Sequence, residues 1–368
     1  MGTFITNLAT SGQGVRLAVK DLVDVAGVPT TAGCRAVADE ARPAPADAAC
    51  LAGARAAGAR IVGKTNLHEL ALGVTGVNPW FGTPVNPLDP GLVPGGSSSG
   101  SAVAVATDEA DVAYGSDTGG SVRIPSACCG TAGLKTTWGR IPLDGVWKLA
   151  PGFDTVGPMA RHVAGLVTGM QLLEPGFAPD PAGPLRVARI RPEADPRVDE
   201  AVDRALWATE WELVELPLHE WDEVTGAAGL LLVAEAWQQD GPLVLRAEDR
   251  IGEDVVQRLR MGSGIDEATM ASARTAQDRW RDRLAEIFTT VDLVACPTLT
   301  IFPPELGRGE DLLMARCTLP VNLAGVPALA LPVPAGGPVP ASCQLIGPAG
   351  AEERLLMAGA TLEAAVST

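Results

Sequence analysis

Short apolar runs separated by helical spacings organise this chain. Arg16-Leu17-Ala18-Val19-Lys20 reads as a short buried strand ending in a lysine, and Gly27 to Gly33 supplies the glycines, proline and threonines of a turn region. Asp47 is placed to cap an alanine-rich helix reaching about Ala57, Gly58 stops it, and Arg60-Ile61-Val62-Gly63 follows as a strand. Glycine and proline crowd the loop from Gly73 to Gly96. Ser99 to Thr107 is then a helix of small residues, and Val112 to Gly115 a strand. Leu185 to Ile190 reads as a further strand after a Pro/Gly-rich stretch, Pro175 to Pro184, which marks a candidate seam between subdomains. Asp266 to Phe288 has helical apolar spacing and leads into a strand at Val291 to Pro297, and Ala328 to Leu331 is a last short core strand. Strands alternating with helices predict an α/β protein whose sheet is covered on both faces.

Composition narrows the function classes. With 46% apolar residues and a mean hydropathy of +0.17 over 368 residues, the chain can bury a large core. No apolar run reaches the roughly 18 residues of a membrane span. The start, Met1-Gly2-Thr3-Phe4-Ile5, has neither the basic residues nor the apolar run of a secretion signal, so a cytoplasmic enzyme is expected. A net charge of -16 opposes phosphate backbones and anionic membranes, and neither is an expected partner. Seven cysteines without Cys-x-x-Cys spacing read as reduced, mostly buried thiols. His68, His162 and His219 stand far apart without metal-binding spacing, and no metal is expected.

Candidate chemistry lies in two glycine- and serine-rich stretches, Pro94-Gly95-Gly96-Ser97-Ser98-Ser99-Gly100-Ser101 and Ser116-Asp117-Thr118-Gly119-Gly120-Ser121-Val122-Arg123. Glycine admits backbone conformations closed to other residues, so such loops can aim hydroxyls and bare N–H groups at one point, as a nucleophile with an oxyanion hole requires. A phosphate cradle is one alternative, but neither loop has the spacing of a P-loop or of the dinucleotide fingerprint. Flexible linker is another, and the apolar helix and strand patterns flanking both loops oppose it. Gly96-Ser97-Ser98-Ser99-Gly100 formally fits the nucleophile elbow of a Ser–His–Asp hydrolase, yet only His162 and His219 follow it, both in polar contexts. Trp80, Trp147 and Phe153 are candidates for lining an apolar pocket, with core packing the commoner fate of aromatics.

The stretch from Gly95 to Arg140, closing on Gly133-Leu134-Lys135-Thr136-Thr137-Trp138-Gly139-Arg140, resembles the signature of the amidase signature family of serine hydrolases. Further blocks extend the resemblance: Val19 to Gly27, Gly63 to Glu69, Phe153 to Pro158, Pro320 to Pro327 and Cys343 to Gly347. Together they cover most of 15–160 and 290–365, leaving about 165–290 as a variable region that shapes the substrate pocket. The resemblance implies a single large amidase domain over 1–368 with a mixed, mostly parallel central β-sheet, and no cofactor. It also implies a Ser–Ser–Lys triad, with Ser121 as nucleophile, Ser97 as bridging hydroxyl after a cis peptide, and Lys20 as base. The backbone N–H groups of Thr118, Gly119, Gly120 and Ser121 would form the oxyanion hole. A lysine serves as base only where burial lowers its pKa, a task for Leu17, Ala18 and Val19. Lys64 and Lys135 are rival bases that the motif match sets aside. Asp117 and Arg123 are read as bracing the loop, and Gly96 and Ser98 as candidate substrate contacts.

Two departures stand out. Lys20 lies closer to the N-terminus than the triad lysine of most members, so an N-terminal helical layer is expected to be missing and oligomeric state is left open. Ser99 also replaces the glycine more usual in its loop. The expected function is hydrolysis of a small-molecule carboxylic amide to the acid and ammonia or an amine through a seryl acyl-enzyme. The alternatives are a glutamine-dependent amidotransferase subunit or acyltransferase of the same family, and a catalytically silent binding or assembly protein.

Overall fold

The apolar runs become strands of a single sheet: β1 (Phe4–Asn7), β2 (Arg16–Lys20), β3 (Arg60–Thr65), β4 (Val112–Ser116), β5 (Ala132–Lys135), β6 (Val156–Ala160), β7 (Arg186–Arg189), β8 (Glu212–Glu215), β9 (Leu293–Pro297), β10 (Ala328–Val333) and β11 (Ala341–Ile346). The structure, a computed structural model, describes residues 2–181, 183–308 and 311–367, so Met1 of the expected start and Ala182 of the proline-rich stretch lie outside the described residues. The strands form an 11-stranded sheet in the order β1-β3-β2-β4-β6-β5-β10-β11-β9-β7-β8. It is mixed, as expected, but less parallel than expected. The pairs β2–β3, β2–β4, β7–β8 and β7–β9 are parallel, and the other six pairings are antiparallel. Parallel neighbours need a crossover, which helical spacing reveals in a sequence, whereas a hairpin such as β10–β11 needs only a short turn.

Alternate residues of β4 show that both faces are covered. Val112 and Tyr114 join the larger apolar cluster, on the side of helix Val163–Leu173, while Ala113 packs with Ala18 and with Ala102 of helix Ser99–Ala106. The candidate seam at 175–184 does not divide the core, because β7 beyond it pairs with β9 and one apolar cluster runs from Leu17 to Leu362. Asp266 caps helix Glu267–Ile287 through the Thr269 N–H. Asp47 caps nothing; it accepts instead from the Ala26 N–H and from Arg55, and the helical segment behind it is a 3-10 turn followed by Ala52–Ala56. Strands β5 (Ala-Gly-Leu-Lys) and β6 (Val-Gly-Pro-Met-Ala) escape pattern reading because their glycines and proline mimic turn signals.

Candidate active site

Lys20 ends β2 and Ser116 ends its parallel neighbour β4, so both residues sit at the carboxyl ends of strands, where open α/β sheets hold their ligands. Lys20 is fully buried, and its Nζ donates to Ser97 Oγ at 2.7 Å and to Ser116 Oγ at 2.8 Å. Strand alternation puts only Ala18 on the Lys20 face; Leu17 and Val19, expected to bury the lysine, face the opposite cluster. Burial disfavours the ammonium and brings its pKa down to about 7, against the upward pull of Asp117 and Asp154. Ser97 follows a cis Gly96–Ser97 peptide, and its carbonyl accepts from the His68 N–H at 2.9 Å. Ser98 fastens the two serine loops together: its N–H donates to Ser121 O and its Oγ to Ser116 O, each at 3.2 Å.

The loop before Ser121 is organised by a buried anion. Asp117 accepts from the Gly120 N–H at 2.8 Å and the Val122 N–H at 3.2 Å, and it takes two guanidinium bonds from Arg123 at 2.9 Å each. Burial alone would raise the Asp117 pKa; the charge and hydrogen bonds of Arg123 override it and hold the carboxyl well below the usual range. Arg123 continues to Gln344 Oε1 at 2.6 Å and to Asn322 Oδ1, so this pair braces the loop. Gly120 has φ +126°, and a Cβ there would lie 2.3 Å from Thr318 Oγ1, which leaves room for glycine alone. Its N–H is committed to Asp117, which removes it from the expected oxyanion donors. The amides of Thr118, Gly119 and Ser121 donate to no protein acceptor among the described residues. The Thr118 hydroxyl donates to Asp154 Oδ1 at 2.6 Å, and Asp154 also accepts from the Leu149 and Ala150 N–H groups. Burial raises Asp154 to about 6, with the Thr118 bond opposing. Neither Asp154 nor Ser116 was singled out from sequence, although both lie in the glycine–serine stretch or a matched block.

A cavity of about 160 Å³ opens beside Ser121, Thr118 and Gly119, walled by residues such as Leu72, Leu149, Leu232, Val233 and Leu319. None of the five residues expected to contact substrate lines it. Phe153 is fully buried in the core. Trp147 lines a different cavity, beside Thr30 and Pro43. Trp80 faces a third cavity and donates to Glu69 Oε1 at 2.8 Å. Gly96 and Ser98 are buried behind the loop. The wall of this cavity is aliphatic and comes partly from helix Trp221–Ala247, in the variable region. The rival bases are engaged elsewhere: Lys64 pairs with Asp21 at 2.7 Å, and Lys135 donates to the carbonyls of Thr136 and Val326 at 2.9 and 3.0 Å. His68 lies outside any α-helix, with Nε2 3.2 Å from Asp254 Oδ2. All seven cysteines are free and buried. Among the described residues, no group of three or more His, Cys, Asp or Glu is placed to hold a metal ion, and no helix is long and apolar enough to cross a membrane.

The profile of the family described as Amidase matches residues 12–356, which takes in both serine loops, Lys20 and the bracing pair, and the chain belongs to that family. Within it, the chain is similar to a glutamyl-tRNA(Gln) amidotransferase subunit of Halobacterium salinarum, 32% identical over 99% of each chain. The same-named protein of Thermus thermophilus is 36% identical over 96% of this chain and 85% of its own. A crystal structure of an amidase aligns with a TM-score of 0.89 and 32% identity, covering 96% of this chain and 84% of that one.

Proposed function

We propose that this chain is a serine amidase that hydrolyses a small-molecule carboxylic amide to the acid and ammonia or an amine. One observation carries the reading: a fully buried lysine meets the Ser97 hydroxyl at 2.7 Å, and the loop joined to Ser97 leaves three amides free around Ser121. In its neutral form Lys20 accepts the proton of Ser97, Ser97 accepts that of Ser121, and Ser121 Oγ bonds to the carbonyl carbon. The amides of Thr118, Gly119 and Ser121 stabilise the resulting oxyanion, each donor contributing about 3–4 kcal/mol. The carbon–nitrogen bond then breaks as the relay returns the proton to the leaving nitrogen. Water, deprotonated by the same relay, cleaves the ester and releases acid and free Ser121. The cycle asks for no metal or organic cofactor. Free buried thiols support a reducing, cytoplasmic setting, and the net charge of -16 supports a small-molecule partner over nucleic acid or membrane.

The relatives named as amidotransferase subunits favour a second reading, in which the chain supplies ammonia to a complex that amidates a tRNA-borne acid. One experiment separates the readings. The isolated chain is treated with a fluorophosphonate probe and offered aliphatic, aromatic, dicarboxylic-monoamide and ureido substrates with ammonia readout. The amidase reading expects labelling lost in Ser121→Ala and ammonia release without partners. Equal labelling of wild type and Ser121→Ala removes the nucleophile, and glutamine consumption only with partner chains supports the second reading.

A further inference from the structure

We infer that the acyl half of the substrate is an uncharged apolar group of about six carbon atoms, a short aliphatic chain or a single aromatic ring. The inference rests on the amidase reading and on the cavity beside Ser121. That cavity measures about 160 Å³, and an aliphatic cavity of about 150 Å³ holds a benzene ring. Its apolar wall begins at the oxyanion loop: a Cβ placed on Gly119 would stand 3.2 Å from Leu232 Cδ1 and 3.2 Å from Leu319 Cδ2. An acyl carbon bonded to Ser121 therefore projects its substituent onto leucines. An amino-acid acyl group such as that of glutamine would bring an ammonium and a carboxylate into this wall, where unpaired charge is strongly disfavoured. The charged residue on the lining, Arg258, has its Nη1 engaged with Asp254 Oδ2 at 3.0 Å and Leu72 O at 3.1 Å. It also borders the cavity lined by Trp80, Glu253 and Gln257, and so stands between the two.

Gly229 borders the chamber. It lies on helix Trp221–Ala247 and on the cavity lining, and a Cβ there meets nothing within 4 Å. Gly229→Leu fills that space and improves helix propensity, so the fold is retained. The test measures kcat/KM by ammonia release from acetamide, hexanamide, benzamide and glutamine, together with fluorophosphonate labelling of Ser121, in wild type and Gly229→Leu. Wild type is expected to prefer hexanamide and benzamide to acetamide by about 10- to 100-fold and to leave glutamine untouched. Gly229→Leu is expected to lower the ratio of hexanamide and benzamide turnover to acetamide turnover by at least about tenfold. Preference for glutamine, or an unchanged ratio in Gly229→Leu, overturns the acyl assignment and leaves the amidase reading standing. Absence of both labelling and turnover of every amide in wild type overturns the amidase reading itself.

Discussion

Strands β2 and β3 each deliver a fully buried lysine to the interior, and the two surroundings offer the same side chain different partners. Val19 is the register partner of Lys64, so Lys20, one residue further on, leaves the sheet on the other face. Lys64 meets a carboxylate, Asp21 Oδ1 at 2.7 Å, and donates to the Thr30 hydroxyl and the Pro29 carbonyl. Lys20 meets two serine hydroxyls. Burial pushes both ammonium groups downward; the charge and hydrogen bond of Asp21 oppose this at Lys64 without cancelling it, and the pull on Lys20 from Asp117 and Asp154 leaves it at about 7. A buried lysine with a carboxylate in reach is an ion-pair partner. One that faces hydroxyls can release and retake a proton near neutrality.

Exchanging each lysine for methionine breaks the comparison most sharply. Lys20→Met is expected to lower kcat by about 10³-fold or more while stability holds or rises, because the desolvated amine is gone. Lys64→Met is expected to keep the chemistry of its folded fraction but to lose about 3–5 kcal/mol in urea unfolding, since it strands the Asp21 carboxyl; adding Asp21→Leu should recover most of that loss. Reversed outcomes would mean that the two lysines have exchanged roles.

Within the Lys20 pocket, Ser97 and Ser116 are almost equally close, and their alanine variants sharpen which one relays the proton. Ser97→Ala is expected to cost about 10²-fold in kcat with the fold intact, and Ser116→Ala about tenfold or less, because only Ser97 is assigned the relay to Ser121. Equal losses would make the pair a joint clamp on the amine.

The pH dependence follows from the same contrast. In the proposed reaction the neutral amine is the base, so kcat/KM is expected to fall about tenfold per unit as pH drops below about 7, and to level off above it. Stability carries the linked signature. Between about pH 7 and 10 the unfolded chain holds a proton on Lys20 that the folded chain does not, so stability rises with pH across that window. Lys135, also lowered to about 7 by burial, adds a slope of the same sign. Lys20→Met should therefore reduce the slope in thermal melts without abolishing it. The smallest effect expected is that of Asp154→Asn, a loss of a few-fold in kcat as Thr118 loosens, with labelling of Ser121 retained.

What the sequence conveyed follows the same division. Serines and glycines whose chemistry depends on backbone geometry sit in short contiguous motifs, and it is the family resemblance those motifs carry that points to Lys20, Ser97 and Ser121; strands with uninterrupted apolar runs such as β2 and β9 are legible from local pattern alone. Contacts assembled across the fold are not. Ser116 gains its partner only because β4 lies beside β2, and Asp154 reaches Thr118 only where the 149–154 turn folds back on the loop. The commitment of the Gly120 amide to Asp117 is a matter of loop conformation that residue identity does not encode. The leucines and valines lining the cavity beside Ser121 come from separate segments, one of them a helix in the variable region, so no contiguous pattern announces them.

The role of Lys20 as base is tested most directly by the pH dependence of the first chemical step. The rate at which Ser121 is acylated, followed by intact-protein mass spectrometry in single-turnover mixtures from about pH 5 to 9, is predicted to rise through about 7 to a plateau and to be lost in Lys20→Met. A rate that stays flat into acid, or that survives unchanged in Lys20→Met, would contradict the assignment of Lys20 as the base.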